Sequence, residues 1–413
     1  MDSSSNYSKL NKIKDFHKIV EILRILKKHR LLRYIQYNKK LQNLLYITIN
    51  DYKEAFYKIE IEVTPKINKT GKFINIPKEN ETYFHIYFNG YQETNKNKIE
   101  KEDKVRNINI IIDKEITSID GLFREIKCLK KIDFIRFKRN DIRNLSYMFK
   151  GCSSLEEINI SNFDTDNVID MSYMFNKCSL LKEINLSNFN TKNVINMNYM
   201  FDNCSSLEEI DLINFNTTNV KGMNCMFGSC SSLKKINQNF NTTNVNGMGY
   251  MFYGCQNLEN LDLSNFNTRN VTNMNNMFDG CSLIKELNLI DFDTFNVIDM
   301  SGMFNKCFSL TNINISHFHT HKVKNMNSMF FQCSSLKNLD LFNFNTFNVE
   351  RMNNIFNFCS SLEKLNIPNF NTKNLKERPN FFLGCSSLKE VICSDKLIIN
   401  QFKNLSKTRN EKN

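Results

Sequence analysis

Apolar residues along the chain follow two alternating rhythms. In one stretch they fall at Val194, Met197, Met200, Phe201 and Cys204, then at Leu207, Ile210 and Leu212, then at Phe215. The first set has the spacing of one face of a short helix. The second alternates, as in a short strand with Ile210 and Leu212 pointing inward. Phe215 closes a turn, and Asn216-Thr217-Thr218-Asn219 precedes the next unit. Asn and Thr suit that place because their side chains bond local backbone N–H groups.

This unit recurs. Cys152, Cys178, Cys204, Cys230, Cys255, Cys281, Cys307, Cys333, Cys359 and Cys385 are spaced by 26 residues, except for one gap of 25 between Cys230 and Cys255. The missing residue falls within Lys235-Ile236-Asn237-Gln238-Asn239-Phe240. A lone unit cannot bury its apolar face, and stacking does. The expected architecture is α/β, a leucine-rich-repeat-like solenoid with a short helix and a short strand per coil and a parallel sheet. At about 4.8 Å per coil, ten coils make a rod on the order of 50 Å long. Cys, Met, Phe and Leu positions then form internal columns.

The unit, Met-Phe-x-x-Cys-Ser-x-Leu followed by Leu-x-Leu-x-Asn-Phe-Asn-Thr, resembles the BspA-like leucine-rich repeat family over about residues 116–395. The resemblance implies a solenoid used for protein binding, often in adhesion at cell surfaces, and brings no catalytic residues with it.

The pattern weakens upstream, at Ile142, Leu145, Met148 and Phe149 and again at Ile116, Ile119, Leu122 and Phe123, as expected where a solenoid is capped. Pro379 should kink or shorten the last helix-like segment. Val391–Cys393 and Leu397–Ile399 are expected to close the array, with 404–413 frayed. Segments 57–64, 82–89 and 105–113 are dense in β-formers, and 91–104 reads as an exposed loop. The expected domains are a basic helical head at 1–45, a small mixed, β-rich cap region at 46–115, the solenoid at 116–395, and a C-terminal cap and tail at 396–413.

Charge changes the picture at one end only. The net charge is +12, and residues 1–40 hold 11 Lys and Arg against 3 Asp and Glu. In the head, Phe16, Ile19, Val20, Leu23 and Leu26 line one helix face among lysines. That pattern suits packing on the first coil, and also contact with nucleic acid or an anionic membrane. The nearly neutral repeats do not form a basic nucleic-acid surface. The sequence shows no signal peptide or apolar span, and its thirteen cysteines fit free thiols in a reducing compartment. An intracellular location is expected, with the cell surface as the alternative.

Each candidate chemistry has a structural competitor. The Cys ladder (Cys178, Cys204, Cys230, Cys255, Cys281, Cys307, Cys333, Cys359) lacks any C-x-x-C pair and reads as buried thiol packing. The Met ladder, Met171 through Met352, sits at core spacing. Cys225 falls where other units carry Tyr173 and Tyr199, and reads as an exposed, reactive thiol. The cluster His317, His319, His321 has metal-ligand chemistry, yet its first two members replace Asn of other units. The Asn/Asp column from Asn159 to Asn366 offers either a polar binding face or a ladder satisfied between coils. Late units place Phe295, Phe308, Phe331, Phe342, Phe347 and Phe358 where others are polar, and exposed aromatics mark binding surfaces.

No phosphate loop, nucleophile elbow or H-E-x-x-H motif is present. The function expected is that of a non-catalytic protein-binding scaffold. It needs no cofactor, metal or small-molecule substrate, and its protein partner is unidentified. A cell-surface adhesin or antigen is the alternative, and a membrane or nucleic-acid tether through the head a third reading.

Overall fold

The computed structural model of the chain describes residues 58–410 apart from 114–118, 138 and 140, together with Lys39 and Asn43. The expected basic head, those two positions aside, lies outside the described residues.

The first described part is an antiparallel sheet that runs into the repeats. Its strands are β1 (Ile59–Pro65), β3 (Phe84–Phe88), β4 (Gln92–Thr94), β6 (Ile108–Ile112) and β7 (Leu129–Arg136). They are joined by β8 (Glu157–Asn159) in the order β4-β3-β6-β1-β7-β8. β7 pairs with β8 in parallel, so the sheet continues directly into the first coils. Alternation does the local work: Ile59, Ile61 and Val63 are buried on one face, as are Ile108, Ile110 and Ile112. A small hairpin-like pair, β2 (Gly71–Lys72) with β5 (Lys98–Ile99), packs beside it. The 91–104 stretch is therefore more ordered than an exposed loop. Lys96 holds Glu100 and Asp103 at 3.0 and 2.9 Å, and Ile99 is buried.

The repeats stack as a solenoid. Short parallel strands align on one side: β9 (Glu209–Leu212) with β10 (Lys235–Gln238), β11 (Glu286–Leu287) with β12 (Asn312–Ile313), and β13 (Asn338–Asp340) with β14 (Lys364–Asn366) and β15 (Glu390–Ile392). A second parallel ladder of single bridges runs from Asn144 through Asp170, Asn196, Gly222, Gly247, Asn273, Asp299 and Asn325 to Arg351.

The helix expected in each coil is replaced by a run of turns. In the coil of Cys204, Met200, Asp202 and Cys204 donate their N–H groups back to the carbonyls three residues earlier. Met197, Tyr199, Phe201 and Asn203 donate theirs to Gly222, Asn224, Met226 and Gly228 of the next coil. An α-helix would keep every one of these bonds inside the coil. Spending half of them on the neighbour ties coil to coil. The reversal needs left-handed residues: the position before each repeat cysteine has positive φ in all ten coils, from 55° at Ser229 to 78° at Gly151. Glycine recurs there because it alone adopts that conformation without strain.

The internal columns carry the stability. Val, Met, Phe, Cys and Leu of each coil are buried, and Phe149, Phe175 and Phe201 stack with centroids 5.4 and 5.6 Å apart. Every repeat thiol donates to the carbonyl oxygen of the core Phe one coil back, as Cys178 Sγ does to Phe149 O at 3.2 Å. Cysteine suits the column because it is small and apolar yet closes an acceptor that water cannot reach. The Thr column is a clamp. Thr242 Oγ1 donates to Asn267 O at 2.9 Å and accepts from Asn267 N at 2.8 Å.

The 25-residue coil keeps phase by a side-chain substitution. Elsewhere the Phe N–H closes onto the carbonyl three residues back, as Phe215 does onto Leu212 at 2.9 Å. Phe240 instead donates to Gln238 Oε1 at 2.7 Å, while Gln238 Nε2 donates to Asp262 O at 2.6 Å.

Pro379 lies in a stretch without regular turns, and the array ends in α1 (Lys396–Asn410). The helix extends through residues expected to fray, because Leu397, Ile398, Phe402 and Leu405 pack on the core.

Candidate functional site

Three surfaces carry chemistry beyond what the fold requires. The first is the strand side. Lys131 and Glu157 are in register there, as are Glu209 and Lys235, and these four with Glu183 and Asp211 border a groove of about 700 Å³. Charges on and beside it pair: Lys131 lies 3.9 Å from Glu157, Lys66 and Lys130 reach Glu156 at 2.9 and 3.6 Å, and Lys234 reaches Glu208 at 2.8 Å. The Asn/Asp column on this side is a ladder. Asn159 Nδ2 donates to Asp133, Asn237 to Asp211, and Asn366 to Asp340, at 2.8, 3.0 and 2.9 Å. The same residues accept the N–H two positions on, as Asp211 does from Ile213. Those amides are committed to the fold.

The second surface is a tyrosine stack at the left-handed position four residues earlier than the one before each cysteine. Tyr147, Tyr173 and Tyr199 stack at 4.8 and 4.5 Å. Lys150 Nζ stands 4.6 Å from the Tyr173 ring, a cation–π contact. Cys225 follows in this column and corrects the expectation of an exposed thiol. It is only 9% exposed, and burial, with Asp202 nearby, pushes its pKa up to about 12. A thiol held protonated is a poor nucleophile. Cys393 is the half-buried exception among thirteen free thiols.

The third surface is aromatic, and the six predicted phenylalanines divide between two edges half a coil apart along the chain. Phe308, Phe331 and Phe358 lie within two residues of successive repeat cysteines. The rings of Phe331 and Phe358 meet edge-on at 5.5 Å. Backbone bonds lock this corner, from Lys306 N to Phe331 O and from Phe358 N to Leu383 O. Phe358 has φ of 62° and stays 41% exposed, with its ring over Gly384. A bulky side chain in that conformation costs of order 1 kcal/mol.

On the other edge, Phe295 stands 4.5 Å from His321, with Lys322 Nζ 4.6 Å from its ring. Phe347 follows His321 in the same column, and Phe342 and Ile290 are exposed on the turn just before it. Sequence reasoning missed Ile290, Ile298 and Leu383, which are exposed beside these aromatics. Their signal was available: each is apolar where most other coils are polar or small.

The histidine cluster is dispersed by the fold. His317 Nε2 lies 3.1 Å from Leu289 O, so that nitrogen carries the proton and donates, as Asn188 does to Ser161 O in an equivalent position. His319 and His321 flank Phe295 instead. Among the described residues no group of three or more His, Cys, Asp or Glu is arranged to hold a metal ion.

The fold and its surfaces define a leucine-rich-repeat-type solenoid. Residues 117–237, 206–310, 234–339 and 281–395 match the family model described as "Mycoplasma protein of unknown function, DUF285". The chain belongs to that family, and its coils are BspA-like repeats. No curated protein matches. Among solved structures, it is similar to a leucine-rich cell surface protein from Faecalibacterium prausnitzii, at 16% identity and a TM-score of 0.35, over 69% of this chain and 84% of that one. A TLR13–ssRNA13 complex matches at 14% identity and a TM-score of 0.19, over 59% of this chain and 49% of that one. No described helix is long and apolar enough to cross a membrane.

Proposed function

We propose that the protein is a non-catalytic scaffold that binds a protein partner through its aromatic edges. One observation carries this reading. Phe358 is held solvent-exposed in a left-handed conformation, at a position where four other coils use glycine and five use Lys, Asn, Ser or Gln. Folding alone would favour glycine or a polar residue there, so the exposed ring needs another reason. Phe331 against Phe358, and Phe295 beside Lys322 and His321, then form anchors for apolar and acidic side chains of a partner.

Two triple variants test it: Phe308, Phe331 and Phe358 to Ser, and Phe295, Phe342 and Phe347 to Ser. Proximity labelling in the native cell should lose a common set of neighbours with at least one triple while circular dichroism stays unchanged. Neighbours that survive both triples would overturn the proposal. Thirteen free thiols favour an intracellular setting, and labelling of intact cells separates that from a surface role.

A further inference from the structure

We propose that the cleft between the loop after β1 and the segment leading into β6 binds a small anion that carries several phosphate groups. Residues 64–70 form one wall and residues 99–106 the other, around a space of about 700 Å³. That is the size of a small-ligand site.

Both walls are fixed by the main chain. Lys66 N donates to Cys128 O at 2.7 Å, and Lys69 N closes a turn onto Lys66 O at 3.0 Å. Asn68, inside that turn, is left-handed with φ of 59°. On the facing wall a single side chain pins two cation-bearing residues. Asn89, at the turn between β3 and β4, donates through Nδ2 to Lys104 O at 3.1 Å and accepts from Arg106 N at 2.8 Å. Asn89 N in turn donates to Asn107 O at 3.0 Å.

Charge decides what such a cleft can hold. Its lining has five cations, Lys66, Lys69, Lys101, Lys104 and Arg106, and two carboxylates, Glu100 and Asp103. The carboxylates are already neutralised from outside the cleft. Lys96 reaches Glu100 and Asp103 at 3.0 and 2.9 Å, and Lys98 reaches Glu100 at 3.0 Å. Bonds from Glu100 N and Lys96 hold the Asp103 carboxyl below its ordinary pKa. Lys66 is tied to Glu156 at 2.9 Å. The side chains of Lys69, Lys101, Lys104 and Arg106 form no ion pair among the described residues. Four like charges around one concavity repel each other, and folding gives no reason to gather them. A concave wall focuses their field onto an anion. A phosphate group carries about −1.5 to −2 at pH 7, so two on one small scaffold balance the four cations. The chain's own basic head, with 11 Lys and Arg against 3 Asp and Glu in residues 1–40, has the wrong sign to fill the cleft.

The phosphates belong to a soluble compound or to a lipid headgroup. Ile67 separates the two sources. It is 87% exposed on the same wall as Lys69, and an apolar tip gains from a membrane but not from a soluble anion.

The test uses the full chain and acetylation of individual lysines read by mass spectrometry, which scores the cleft apart from the basic head. The probes are inorganic tripolyphosphate, and phosphatidylcholine vesicles with and without a bisphosphorylated inositol lipid. At least one phosphate probe should shield Lys69, Lys101 and Lys104 and leave Lys72 and Lys78, outside the cleft, unchanged. In Lys104→Ala with Arg106→Ala, the concentration that half-shields Lys69 and Lys101 should rise about tenfold. Lys72→Ala with Lys78→Ala removes the same charge elsewhere and should shift it by no more than about twofold. Shielding by tripolyphosphate assigns the site to soluble phosphates. Shielding by the phosphorylated vesicles alone, weakened by Ile67→Ser, assigns it to a headgroup. No shielding by either probe overturns the proposal. So does shielding that spreads equally to Lys72 and Lys78, and so do equal shifts in the two double variants.

Discussion

Thr242→Val isolates the hydrogen-bond clamp between coils from packing. Valine matches threonine in shape and opens no cavity at this fully buried site, but it cannot donate to Asn267 O or accept from Asn267 N. Two bonds worth about 1 kcal/mol each are lost. The stranded N–H and C=O add roughly 1 kcal/mol or more if water cannot reach them, so the expected cost is about 2–4 kcal/mol. Thr243→Val, at the exposed neighbour, should stay within about 0.5 kcal/mol. Urea denaturation followed by circular dichroism compares the two. In a linear array the loss falls on one interface, between the coils of Thr242 and Asn267, so the transition should also broaden as the halves uncouple. If Thr242→Val costs no more than Thr243→Val, the threonine column packs without clamping, and the account of coil-to-coil cohesion fails.

Two further predictions concern titratable groups. A thiol reagent should modify Cys393 before any other thiol of the folded chain and reach the other twelve cysteines only in denaturant. Rapid reaction of Cys225 or Cys281 would contradict their burial. Burial raises the pKa of Asp279 above the ordinary carboxylate value, against the opposing bond from Asn305. The folded state then holds this proton where the unfolded chain has lost it, so its contribution to stability is present at low pH and falls as pH rises through the raised pKa. Asp279→Asn should therefore gain stability relative to the natural chain between pH 4 and 7, read from urea midpoints at both; a relative loss would reverse the sign and refute it.

Coil length, column identity and inward-facing residues were all legible because burial repeats every 26 positions. The turn was not. Val194, Met197, Met200, Phe201 and Cys204 satisfy a helix face and a chain of three-residue turns equally well. What separates them is Gly151, Gly254, Gly280 and Gly384 at one position, a choice that a helix interior penalises. Cys225 was misjudged because its column was taken as surface, whereas Tyr199 and its neighbours stack tightly enough to shield a smaller side chain. The two aromatic edges looked like one set in sequence. Phe295 and Phe308 are half a coil apart, and only the bend of the chain shows how far that separates them.

The shortened coil holds a lesson about how such arrays change length. A peptide group is an amide, and glutamine carries a spare one. Gln238 lends its own amide to Phe240 and Asp262, replacing a deleted link of main chain. A gene encoding this array can thus drop a codon at that corner without shearing the stack, provided an amide side chain stands ready to bridge the gap.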